Sequence, residues 1–153
     1  GHRVAAGFTL RSAHLPELEA RLQGLARERM DPSALTPVLY LEAEAALGDL
    51  NWELLRALER MAPFGVQNPQ PVFLCPRVKV VRARQVGPQG EHLRLTLSDG
   101  RLACDAIGFR LGGRIAECTP GTYLDLACTL GASSWTGEER LELQLRDLRP
   151  SRL

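Results

Sequence analysis

A change of apolar spacing near residue 63 constrains the fold of this chain more than any other feature. Beyond that point, apolar and polar residues alternate in three segments, 92–98, 123–130 and 140–146. Alternation with a period of two gives a β-strand one buried face and one solvent-facing face. Two further segments, 72–86 and 102–109, are also predicted to be strands. The second half of the chain is therefore predicted to hold five strands.

The first of these strands is long and changes phase in its middle. Two of its four cations have odd residue numbers and two have even ones, so a regular strand would place the two pairs on opposite faces. A bulge near residues 80–81 would return all four to one face and bend the strand. The span 111–118, between the third and fourth strands, has room for only a short helix. This order of elements is typical of an OB-fold barrel, and a generic small β-barrel is the alternative. The four cations are Arg77, Lys79, Arg82 and Arg84.

Helical spacing dominates before residue 63. Leucines that recur at three and four residues predict an amphipathic helix over 15–29. A second helix is predicted over 52–61, with Asn51 as its N-cap. Short strands are predicted over 4–10 and 37–44. The whole chain is thus predicted to be α+β, with a small helical and mixed N-terminal part followed by a five-stranded OB-fold β-barrel.

The charge distribution is more informative than the formal net charge of +1. Residues 76–114 contain eight Lys and Arg against three Asp and Glu, whereas the segments on either side each carry two more acidic than basic residues. A basic middle in a nearly neutral chain favours a groove for a polyanion. No stretch approaches the roughly 18 consecutive apolar residues of a membrane-spanning helix, so membrane contact is not predicted.

The sequence shows no sign of a self-contained active site. Its three histidines, His2, His14 and His92, do not cluster with one another, and the last two are predicted to lie on the surface. Nucleotide-binding glycine motifs and the G-x-S-x-G motif of hydrolases are absent. The four cysteines form no C-x-x-C pair, so no metal site is predicted; Cys104 and Cys128 fall at buried strand positions. A reducing, cytoplasmic compartment is expected.

Binding of single-stranded nucleic acid has better support. OB-folds hold single strands by cations that contact phosphates and by aromatic rings that stack on bases. Trp135 lies in the Gly- and Ser-rich loop between the last two strands; the alternative is that it folds back to plug the barrel end. Phe109 and Trp52 are predicted to be core residues, and a solvated strand face is the alternative for the cations. The predicted contacts are Arg77, Lys79, Arg82, Arg84, Arg94 and Trp135.

Three strings resemble segments of RecJ-type, single-strand-specific DNA exonucleases, which belong to the DHH phosphoesterases. GHRVAAGFTL at 1–10 resembles the end of the G-G-H-x-x-A-A-G motif of their DHH-associated domain. MAPFGVQNPQPVF at 61–73 resembles L-A-P-F-G-x-G-N-P-x-P-x-F, although Gln67 stands where the family has glycine. DAIGF at 105–109 is similar to part of the family's OB domain.

The resemblance implies the C-terminal part of such an enzyme, which degrades DNA from the five-prime end in repair and recombination. Residues 1–34 would end the DHH-associated domain, 35–71 would be a strand-helix connector with a proline-rich linker, and 72–150 would be the OB domain. Gly1 and His2 would contact a substrate phosphate. The Mn²⁺ or Mg²⁺ ligands would lie in an upstream DHH catalytic domain, so this chain alone is expected to have no nuclease activity.

Two other functions fit the same residues. One is a stand-alone OB module that binds oligonucleotides and belongs to no nuclease. The other is a protein-docking OB module whose cations are merely solvated.

Overall fold

The chain divides into two compact units, residues 1–39 and 40–153. A computed structural model describes residues 4–133, 137 and 139–152. The first unit contains helix α1 (Leu15–Arg29), which coincides with the predicted helix. Short 3-10 helices at Ser12–His14 and Pro32–Leu35 flank it.

Two expectations for this first unit are not met. The leucine stripe of α1 is exposed at Leu15, Leu22 and Leu25, and the helix has no buried residue. The strand predicted over 4–10 is wrong, because the described residues 4–39 form no strand.

The second unit is a closed barrel of five long strands. The strands are β1 (Ala43–Glu44), β2 (Phe73–Val86), β3 (His92–Ser98), β4 (Ala103–Gly108), β5 (Tyr123–Ser133) and β6 (Arg140–Pro150). The sheet follows the order β1-β2-β3-β4-β6-β5, and β5 pairs again with β2 to close the barrel. Strands β4 and β6 pair in parallel, while the other barrel pairs are antiparallel.

The details that indicated an OB-fold are confirmed. The pairing of β2 with β3 shifts by one residue between Val80 and Arg82, where the bulge was predicted. The predicted short helix is a 3-10 helix, Gly112–Glu117, between β4 and β5, which are the third and fourth strands of the barrel. The strand predicted over 37–44 is reduced to Ala43–Glu44, which pairs in parallel with the start of β2.

The core of this unit includes residues from outside the barrel strands. Helix α2 (Trp52–Glu59) begins at the predicted N-cap, where Asn51 Oδ1 accepts a hydrogen bond of 3.0 Å from the Leu54 N–H. Four leucines of the segment before the barrel belong to the same apolar cluster as the inward-facing residues of the strands. They are Leu47, Leu50, Leu55 and Leu58.

The proline-rich run that follows α2 is held by one side chain. Asn68 Nδ2 donates to the carbonyl oxygens of Met61 and Pro63 over 2.9 and 3.0 Å, and the backbones of Gly65 and Asn68 are bridged. Gln67, which replaces the family's glycine, does not have a positive φ. The turn therefore forms without the conformational freedom of glycine at that position.

Candidate nucleic-acid interface

The bulge in β2 places the cations of that strand on its solvent-facing side. Val78 and Val80 point into the core on one side of the bulge, and the small Ala83 packs against the core on the other. Just before the bulge the residues with even numbers face the core, and after it the residues with odd numbers do. We call the four exposed cations that result the cation row: Arg77, Lys79, Arg82 and Arg84.

A second irregularity displays the first member of the row. The pairing of β2 with β5 shifts between Cys75 and Val78, and Arg77 has a φ of 55°. Its N–H donates to Asp125 Oδ1 over 3.2 Å, and Arg149 Nε lies 3.0 Å from Asp125 Oδ2. Although burial opposes the change, hydrogen bonds from Ser151, Arg77 and Arg149 lower the pKa of Asp125. The carboxylate therefore stays ionised and holds the bulge.

The cation row is not neutralised by neighbouring acids. In the described part of the chain, no carboxylate oxygen lies within 4.0 Å of a side-chain nitrogen of the row. Arg82 and Arg84 lie two residues apart on one strand face, so their Cα atoms are about 6.6 Å apart. Unpaired cations at regular spacing attract a chain of phosphates.

Arg94 differs from the row, although the sequence grouped it with these cations. It lies opposite Arg84 on β3, but its Nη2 is 3.1 Å from Glu142 Oε1 and 3.7 Å from Asp105 Oδ2. The contact of Arg94 with Glu142 Oε1 is close but lacks hydrogen-bond geometry. Glu142 Oε1 has no hydrogen-bond partner among the described residues. Two carboxylates offset the charge of Arg94, so its attraction for phosphate is smaller than that of the row.

One cation of the row, Arg84, lines a groove on the outer side of the barrel. Its volume is about 700 Å³, and both polar and apolar side chains line it. Arg84 and Arg94 enter it from β2 and β3, together with Arg140 from β6. Leu102 and Trp52 supply part of its apolar surface, which suits the flat face of a base as well as a phosphate. Arg140 was not singled out from the sequence, because its position depends on the pairing of β6.

Phe109 is not the core residue that the sequence predicted. It is 58% exposed and lies directly after β4, in T-shaped contact with His92 at a ring-centroid distance of 5.2 Å. His92 Nδ1 accepts a 3.1 Å hydrogen bond from the Arg110 N–H. Inward positions of β4 are instead taken by the smaller Cys104 and Ala106, opposite leucines of β3. A partly buried histidine and an exposed phenylalanine therefore form an aromatic pair on the outer face.

The remaining predicted contacts cannot be placed. Gly1, His2 and Trp135 lie outside the described residues.

The described residues contain no group of three or more His, Cys, Asp or Glu side chains that could hold a metal ion. The described helices include none that is both long and apolar enough to cross a membrane.

Cys104 and Cys128 have the properties of structural thiols. Cys75 and Cys128 are fully buried, with their Sγ atoms 3.7 Å apart on neighbouring strands. The Cys75 thiol and burial raise the pKa of Cys128, and burial raises the pKa of the partly exposed Cys104 to about 12. Thiols with raised pKa values remain protonated and are poor nucleophiles.

Comparison with known families agrees with this architecture. The family model described as the RecJ OB domain matches residues 41–147, which is most of the second compact unit. The chain belongs to the RecJ OB domain family. The match starts next to Tyr40, where the compact unit begins, and so includes α2 as well as the barrel.

Curated RecJ proteins match almost the whole chain. The single-stranded-DNA-specific exonuclease RecJ of Thermus thermophilus is 30% identical over 97% of this chain and 20% of its own length. The enzyme of the same name from Bacillus subtilis is 24% identical over 96% of this chain and 19% of its own length. The chain therefore spans about a fifth of the length of these RecJ relatives.

Solved RecJ structures share the fold. The crystal structure of Thermus thermophilus RecJ in complex with Mn²⁺ has a TM-score of 0.68 and is 28% identical, over 100% of this chain and 22% of that one. The same protein in complex with Mg²⁺ has a TM-score of 0.67 at 27% identity, over 96% of this chain and 22% of that one. Both metals belong to proteins several times longer than this RecJ OB chain.

Proposed function

We propose that this chain is the C-terminal, DNA-binding segment of a RecJ-type exonuclease specific for single-stranded DNA. It guides the strand toward a DHH catalytic domain upstream, which cleaves it from the five-prime end during repair and recombination. The observation that carries the proposal is the cation row, whose four side chains are exposed and lack acidic partners among the described residues. Membership of the RecJ OB domain family favours this function over a stand-alone OB module.

The proposal assigns a part to each segment. Residues 1–34 end the DHH-associated domain, 35–71 connect it to the barrel and supply leucines to the barrel core, and 72–150 form the strands of the OB domain. Gly1 and His2 contact a substrate phosphate, and Trp135 stacks on a base. The cytoplasm is the expected compartment.

Divalent metal belongs elsewhere in the enzyme under this proposal. The RecJ structures that this chain resembles contain Mn²⁺ or Mg²⁺. The described residues of this chain do not fit such an ion, because they offer no cluster of three ligands. The chain therefore contributes binding and direction to the reaction, and no step of phosphodiester cleavage is assigned to it.

Binding through the row should depend strongly on salt. Each cation that contacts a phosphate releases counterions from the DNA, so affinity falls as salt rises, with a slope of roughly −0.7 per contact for single strands. With the four cations of the row, log K against log salt should slope near −3. Arg94 is left out of this count because two carboxylates offset its charge.

The first test removes two members of the row without adding charge. We expect Lys79→Gln combined with Arg82→Gln to weaken binding of oligothymidine on the order of tenfold at 0.1 M salt and to bring the slope near −1.4. Fluorescence anisotropy of a labelled oligonucleotide, titrated at several salt concentrations, measures both. Each side chain is exposed, so the fold should be retained.

The matched control is Arg146→Gln, which removes an exposed cation from β6, a strand that does not pair with β2. It should leave affinity and slope nearly unchanged. Unchanged DNA binding in the Lys79 and Arg82 double variant would contradict the proposal and favour a protein-docking role.

A further inference from the structure

The aromatic pair at the end of the cation row has no part in the barrel core. His92 faces outward on β3, because Leu93 and Leu95 on the same strand are fully buried and alternate with it. It pairs with Val86, two residues beyond Arg84. Phe109 follows Gly108, the partner of Leu93, and its ring contacts that of His92. His92 therefore lies diagonally across from Arg84, the last cation of the row, and Phe109 lies on the other side of His92, next to β3.

The turn that carries Phe109 is held in a strained conformation. The Leu111 N–H donates to the Gly108 carbonyl over 3.3 Å, and Arg110 within this turn has a φ of 61°. A residue with a β-carbon adopts this left-handed region only when its surroundings impose it. The Arg110 N–H also holds the His92 ring. Single exposed apolar residues are ordinary, but a strained turn that presents an aromatic ring is not.

The neighbouring elements make this turn rigid. Gly112 packs so closely on the loop before β3 that a β-carbon there would lie 1.9 Å from the Gly90 carbonyl oxygen. The Gly112 N–H donates to the Glu91 carbonyl over 2.9 Å, and Gln85 Nε2 donates to the Gly112 carbonyl over 2.9 Å. The end of β2 is thereby linked to the segment that follows Phe109. A ring on a rigid support loses little conformational entropy when a ligand covers it.

We propose that Phe109, supported by His92, is a base-stacking subsite for single-stranded DNA, with Arg84 holding an adjacent phosphate. This inference rests on the proposed function and adds to it the side chain that contacts a base. Aromatic rings and an unpaired cation on the same outer face of the sheet offer the two contacts that a nucleotide needs, one for its base and one for its phosphate. Stacking of this kind is tolerant of sequence, because every base has a π-face.

The test compares two ligands of equal length and charge. One is a fluorescently labelled oligothymidine, and the other is an abasic deoxyribose-phosphate oligomer that lacks bases. We expect Phe109→Ala to weaken oligothymidine binding roughly tenfold and to leave binding of the abasic oligomer unchanged. Phe109→Leu should behave like Phe109→Ala, whereas Phe109→Trp should retain affinity. Phe8→Ala is the control, since Phe8 is 63% exposed in the first unit.

The Phe109→Trp variant adds an optical readout. Its additional tryptophan fluorescence, relative to the unmodified chain, should be quenched by oligothymidine and not by the abasic oligomer. Equal weakening of both ligands by Phe109→Ala, or weakening of neither, would overturn the stacking subsite while leaving the cation row intact. Failure of the unmodified chain to bind either ligand would overturn the proposed function, and the subsite with it.

Discussion

Arg77 is the strained member of the cation row. Its φ of 55° is imposed by the bulge, where its N–H donates to Asp125 while its side chain remains exposed. A residue with a β-carbon occupies the left-handed region at a cost of about 1–2 kcal/mol, which glycine does not incur. The backbone at this position favours glycine, yet the sequence has arginine there. A phosphate contact at this bulge would require such a charge.

Two substitutions at Arg77 separate the strain from the charge. Arg77→Gly and Arg77→Ala both remove the guanidinium, so both should weaken oligothymidine binding equally and lower the salt slope by about 0.7. Arg77→Gly should be the more stable variant by about 1 kcal/mol, because only glycine relieves the φ strain. Urea denaturation measures the stability difference. Equal stabilities would show that the bulge relaxes around alanine and would contradict the strain argument.

Two features that the sequence did not show depend on contacts distant in the chain. Arg94 was grouped with the row, yet its charge is offset by Asp105 and Glu142, which only the pairing of β3, β4 and β6 brings near it. Phe109 was predicted to be a core residue. The strained turn after β4 decides its position instead, and no spacing pattern encodes that turn.

At the scale of elements, the 3-10 helix Gly112–Glu117 fixes the loop between β2 and β3. Gly112 touches that loop through its backbone, and a β-carbon there would overlap the Gly90 carbonyl oxygen. For the adjacent Gly113, no atom of the described residues, apart from its own and those of its chain neighbours, lies within 4 Å of the position that its β-carbon would take. The two neighbouring glycines therefore form a matched pair for measuring how much this contact contributes to stability.

We expect Gly112→Ala to lower the free energy of unfolding by about 2 kcal/mol, because overpacking forces the loop backbone to shift. Gly113→Ala should leave stability unchanged or raise it slightly, since alanine restricts the unfolded chain. Thermal or urea denaturation of the two variants measures the difference. If both variants unfold alike, the helix does not restrain the loop, and the rigid support for Phe109 is lost as well.

Elements with strong local signals were predictable. Helix α1 was located to the residue from its leucine spacing, and the bulge in β2 from the change of cation parity. The strand predicted over 4–10 did not form, because apolar residues in a short segment do not by themselves determine whether that segment joins a sheet. In β4 the smaller Cys104 and Ala106 face leucines of β3, so residue size alone misleads about which face is buried.

At the scale of the whole molecule, the barrel shares its core with the segment before it. Leu55 and Leu58 of α2, with two leucines just before it, join the inward-facing residues of the strands. The alternation of apolar and polar residues in the strands did not indicate this packing, and neither did the proline-rich run. Both patterns place the start of the OB domain at residue 72. The RecJ OB family match and the compact unit both begin about 30 residues earlier.

This shared core predicts how truncations behave. A chain of residues 40–153 should unfold cooperatively, with the stability of the barrel in the full chain. A chain of residues 72–153 lacks four core leucines, each of which contributes about 1.5–3 kcal/mol when buried. Their sum is comparable to the 5–15 kcal/mol of a typical domain, so the shorter chain should not fold stably. Circular dichroism during heating measures the unfolding of both truncated chains. A shorter chain that melts cooperatively at the temperature of the longer one would show that residues 72–150 fold as a domain without α2.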